Sequence, residues 1–165
     1  ITTSIMLVSC MNILFSQDGY TAGVNVSYPI VNGAYFDGDG TRTGPSVGVN
    51  VGTPYKFDLA SYSVRVGVGI ELVNMGADDG YNYTGFYLSL STTVYELQSG
   101  PISVLGGFGM YDGLAATGAV MFDYAVANQP IVIQPYARTT LLFDASGVGD
   151  ASYLMSIGAM VNYSL

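Results

Sequence analysis

Arg65, Glu71, Asp123 and Arg138 are charged residues set inside stretches of alternating apolar and small polar side chains. Two acids and two arginines sum to zero, and a charge taken out of water must be paired or hydrogen-bonded. They therefore form a candidate internal polar network, to which Tyr87 and Tyr136 belong by the same alternation. The chemistry open to the chain is narrow. It holds no His, so the commonest general base is missing. The single Cys excludes an intrachain disulfide and a Cys–His metal cluster. Lys56 is the only lysine, and it sits in a turn segment at the wrong end of most serines for a Ser–Lys dyad. Asp123 and Glu71 could in principle form a carboxylate pair, but their positions suggest different heights. No catalytic residue, cofactor or specific metal site is expected. Twelve acids against four basic residues leave a net charge of -8, which argues against nucleic acid as a partner.

The elements that must hold these residues announce themselves by a period of two. In Ser61 to Val73 the even positions Tyr62, Val64, Val66, Val68, Ile70 and Leu72 are bulky and apolar. The odd positions Ser61, Ser63, Arg65, Gly67, Gly69 and Glu71 are small or charged. Successive strand side chains point to opposite faces, so one strand separates two environments. The pattern recurs over 20–31, 46–55, 84–96, 102–111, 117–126, 131–143 and 152–165, and no segment has a helical period. In 84–96 the alternation sets Phe86, Leu88, Leu90 and Val94 against Tyr87, Ser89, Ser91 and Tyr95. Each of the eight is near the nine to eleven residues that a tilted spanning strand needs.

The connections alternate as well. VNGAYFDGDGTRTG, NMGADDGYN, YDGLAA and DASGVGD are polar, Gly- and Asp-rich loops, whereas TPYKFDLA, ELQSGP and VANQP read as shorter turns. The expected fold is all-β: an eight-stranded antiparallel up-and-down transmembrane β-barrel, monomeric, over 18–165. The rival is a soluble lipocalin-like carrier, whose outer face would carry many Lys and Glu. Only 10% of the residues are charged, against roughly 25% in an ordinary soluble domain. The small face suits a narrow packed lumen and the bulky face suits lipid. Tyr20, Tyr55, Tyr62, Tyr124 and Tyr163 fall at one boundary of the bulky face, with Tyr28, Phe86, Phe143 and Tyr153 at the other. Paired aromatic girdles mark the two membrane–water interfaces.

Residues 1–17 stand apart. Ile5 to Phe15 form an apolar core of signal-peptide length before Ser16-Gln17, near which cleavage is expected. LVSC, Leu7 to Cys10, also resembles a lipobox with Cys10 as the lipidated residue. Either reading exports the chain.

The last strand, SIGAMVNYSL, looks like the C-terminal assembly signal of bacterial outer-membrane proteins, with Ser156, Gly158, Val161 and Tyr163 at its polar, Gly and apolar positions. This chain ends on Leu165 where the signal usually ends on an aromatic. With its eight strands the chain resembles the small outer-membrane barrels of the OmpA, OmpX and OmpW kind. The resemblance implies the bacterial outer membrane as location, with its lipids and its insertion machinery as partners. Enzymes of that kind use a His, which this chain lacks.

Asp37, Asp39, Asp78, Asp79, Asp112, Asp144 and Asp150 all fall in the four polar loops, against Arg42 alone. DGDGT resembles the start of a calcium loop, but the position that needs Glu is Gly48, which excludes an EF-hand. The cluster reads either as a weak divalent-cation rim or as a merely hydrated, repulsive one. The expected role is structural, or a surface interaction through these acidic loops with a ligand the sequence does not name. A narrow channel for ions or small solutes is the alternative.

Overall fold

A computed structural model of the chain describes residues 19–32, 44–74, 82–111, 113–143 and 152–165. The N-terminal segment read as a signal, and all seven aspartates of the acidic rim, lie outside these residues. The elements are β1 (Thr21–Asn32), β2 (Ser46–Leu59), β3 (Tyr62–Asn74), β4 (Asn82–Leu97), β5 (Gly100–Met110), β6 (Leu114–Phe122), β7 (Tyr124–Ala125), β8 (Ile131–Phe143) and β9 (Ser152–Ser164). Every pairing is antiparallel, and β6 and β7 both pair with β8, making one stave interrupted at Asp123. The interruption faces Gln134 and Pro135, and a proline cannot donate to a ladder. The Asp123 amide turns instead to the Pro101 carbonyl at 2.9 Å. Eight staves thus pair in sequence order, and β1 closes the ring on β9 from Thr21↔Ser164 to Asn32↔Leu154. The all-β up-and-down barrel expected from the alternation is the fold observed.

The two faces separate as the period of two requires. Val24, Val26, Val68, Ile70, Phe86, Leu88, Phe108, Val120, Ile157 and Val161 are exposed on the outer wall. Asn25, Ser27, Glu71, Ser89, Thr117, Arg138, Thr140 and Ser156 are buried inside. A water-soluble protein turns this arrangement the other way, and only a lipid surround makes it favourable. The same inversion removes the lipocalin-like alternative.

Three expectations need correction. Thr93 pairs with Ser103, but Tyr95 pairs with Ile102, so Val94 is the extra residue of a bulge. One inserted residue reverses the alternation, and Tyr95 stands on the outer wall, 62% exposed, rather than in the lumen. TPYKFDLA is not a turn: β2 runs through it with a register shift between Gly52 and Lys56. The turn itself is Ala60-Ser61, with Ala60 at a φ of 56°. YDGLAA is equally no long loop, since Leu114 already pairs with Met110 and the Tyr111 amide donates to the Gly113 carbonyl at 2.9 Å. Two residues of the bulky row also depart from the rest: Val64, opposite Phe57 on β2, is buried, and Val66 is half-buried and lines the lumen cavity.

Candidate functional site

The lumen is layered. Near the long-loop end, Val73, Tyr87, Tyr111, Ala115, Leu142 and Leu154 pack into an apolar plug. Directly beneath it lies a polar deck. Glu71 of β3, only 1% exposed, forms an ion pair with Arg138 Nη2 of β8. The second carboxylate oxygen of Glu71 accepts a hydrogen bond from the Tyr111 hydroxyl at 3.1 Å. Arg138 Nη2 also reaches Ser27 Oγ at 3.4 Å, and its guanidinium lies 5.5 Å from the centre of the Tyr136 ring. Tyr136 in turn donates to Asn25 Oδ1 at 3.5 Å. The deck joins β1, β3, β8 and the β5–β6 turn and pairs the two buried charges through Arg138 Nη2, while Arg138 Nε is buried without a hydrogen-bond partner among the described residues.

Tyrosines fit into the deck because glycines on the adjacent staves make room. Gly69 lies opposite Tyr87 and Gly158 opposite Tyr136 in the ladders. A Cβ added at either glycine would meet the tyrosine ring, and one added at Gly85 would meet the ring of Tyr111. Tyr87 and Tyr111 are themselves stacked, with centroids 6.5 Å apart and planes 8° from parallel. Each ring covers backbone that the glycine leaves bare.

Below the deck a cavity of about 350 Å³ occupies the rest of the lumen and reaches strand-end residues Thr21, Pro101, Ala125 and Ser164. Met121, Met160 and Leu105 line its apolar side. A hydrogen-bonded belt runs around much of its wall. Thr93 and Ser103 hydroxyls lie 3.3 Å apart, and Ser103 Oγ donates to Asp123 Oδ2 at 2.7 Å. Gln134 Nε2 donates to Asp123 Oδ1 at 2.6 Å. Asn162 Nδ2 donates to Gln134 Oε1, and Asn50 Nδ2 to Asn162 Oδ1 at 3.0 Å. The belt thereby ties β4, β5, the Asp123 interruption between β6 and β7, β8, β9 and β2.

Neither a family model nor a curated protein matches the chain. A solved structure does. The fold is similar to that of Neisserial surface protein A (NspA). The match to the crystal structure of NspA has a TM-score of 0.58 and covers 90% of this chain and 98% of that one, at 10% sequence identity. At such identity the likeness to NspA concerns the fold. The side chains inside the NspA-like frame have to be read from this chain alone.

The structure places the six lumen residues unevenly. Glu71, Arg138, Tyr87 and Tyr136 come together at the deck. Asp123 lies apart from them in the belt, and both its oxygens accept hydrogen bonds from neutral donors. Arg65 lines the cavity and has no ion-pair partner among the described residues. Tyr111 was missed as a site residue. Extending the β5 alternation beyond Phe108 and Met110 puts position 111 on the inner face, and that signal was available. In the terminal strand, Ser156 and Gly158 face inward while Val161 and Tyr163 stand on the outer wall.

Proposed function

We propose that this chain is a small bacterial outer-membrane barrel with a structural or surface-interaction role and no enzymatic activity. The observation that carries the reading is the Glu71–Arg138 deck beneath an apolar plug, which fills the lumen at the long-loop end. A lumen so filled leaves the loops as the surface through which the protein meets other molecules. The connections after β1, β3, β5 and β8 leave the barrel at one end, and their sequences contain the seven aspartates. The similarity to a protein named as a surface protein supports the reading. The outer wall would be solvated by outer-membrane lipids, and the terminal strand would be recognised by the insertion machinery.

A narrow channel is the second reading, favoured by the cavity beneath the deck. Planar-bilayer recording on the purified, refolded barrel separates the two. The filled-lumen reading expects no discrete conductance steps in about 1 M salt, where the Debye length is near 3 Å. Reproducible single-channel steps would replace it with the channel.

A further inference from the structure

The lower cavity has a charge asymmetry that the deck and belt leave unanswered. Glu71 is taken by Arg138 and Tyr111, and Asp123 by Ser103 and Gln134. Arg65 therefore faces the cavity with no carboxylate within ion-pair distance among the described residues. Its direct ladder neighbour on β2 is Lys56, and on β4 it is Ser91. Directly opposed residues share a face of the sheet, and like charges so placed destabilise it. Asp58 and Glu96 are exposed at the strand ends and form no ion pair with either cation. Arg65 is thus the cation that lines the cavity, with the exposed Lys56 beside it in the ladder adding positive charge at the strand end.

We propose that the cavity is a binding site for a small soluble phosphate- or carboxylate-bearing molecule, entering from the short-turn end, with its anionic group on Arg65. The volume of about 350 Å³ is that of a small ligand site. A planar guanidinium binds phosphate and carboxylate oxygens in a two-pronged fashion. Leu105, Met121 and Met160 offer an apolar wall for the ligand body, while Ser91 adds a hydroxyl beside the anion. The deck closes the site above, so the ligand binds and leaves by one mouth and is not conducted. This assignment is independent of what the loops bind.

Glycerol 3-phosphate is a suitable probe. The refolded barrel, in an uncharged maltoside detergent that brings no phosphate, is titrated while the Arg65 side-chain Nε–Hε resonance is followed by NMR. A saturable shift at Arg65, absent with glycerol, is the expected result. Arg65→Gln should weaken binding about tenfold or more, the scale of a lost hydrogen bond to a charged group, and Arg65→Lys should weaken it less. Heat-modifiable gel mobility shows whether each variant has folded. A linear, non-saturating shift, or one that survives unchanged in a folded Arg65→Gln barrel, would overturn the proposal. So would a shift that appears only on transfer to phosphatidylglycerol nanodiscs, because the anion would then be a lipid headgroup.

Discussion

Arg138 and Glu71 lie on β8 and β3, 67 positions apart in sequence, and meet in the lumen as a buried ion pair. The pair ties staves that are not ladder neighbours, so it braces the barrel across its diameter rather than along its wall. Its energetic meaning is asymmetric. Forming it repays a large desolvation cost, whereas removing one partner strands the other charge.

Arg138→Met and Glu71→Met should therefore each destabilise the barrel by about 3–5 kcal/mol, and the double substitution should recover most of that loss. Urea unfolding in lipid vesicles gives the three values. Additive single effects would mean that the two side chains do not interact.

Tyr111→Phe removes the hydroxyl that donates to Glu71 while keeping the ring stacked on Tyr87. A hydrogen bond to a charged group contributes about 1.5–3 kcal/mol. The same unfolding assay should show a loss in that range, and it should vanish when Glu71 is already Met.

Gly158→Ala places a methyl where the Tyr136 ring and the Val26 carbonyl now sit. Overpacking of this kind costs about 1–3 kcal/mol. Gly106→Ala is the control, because nothing lies within 4 Å of a Cβ there. Thermal unfolding of the two variants should differ clearly; equal midpoints would mean that Tyr136 moves freely.

Val68→Arg puts a cation on the outer wall and should cost about 2–4 kcal/mol at mid-membrane depth. Ala119→Ser changes a cavity-lining position and should be nearly neutral. Folding yield in vesicles, read by unboiled gel mobility, ranks them. The wild-type barrel has no free sheet edge, so unboiled and boiled samples should also migrate differently in SDS.

Calcium added to the barrel should give small, non-saturating loop amide shifts that disappear in moderate salt, as a hydrated acidic rim requires. Saturable shifts near Asp37–Asp39 and Asp78–Asp79 would instead establish a cation site.

The period of two was enough to read the barrel and the sides of its wall. It works because a strand between lipid and a packed lumen must alternate, and shifting it by one residue would turn Arg65 and Glu71 outward. That rule alone puts Arg138 and Tyr136 on the inner face. Height in the lumen was legible only coarsely, enough to separate Asp123 from Glu71 and not enough to say which charges pair. It depends on the stagger of eight staves, which brings Arg138 to Glu71, leaves Asp123 among neutral donors and leaves Arg65 beside a cavity. The bulge at Val94 was equally hidden, since an inserted residue is defined by its partner strand, and only the ladder with β5 turns Tyr95 outward. Local alternation decides which way a side chain faces, and the closure of β1 on β9 decides what it meets there.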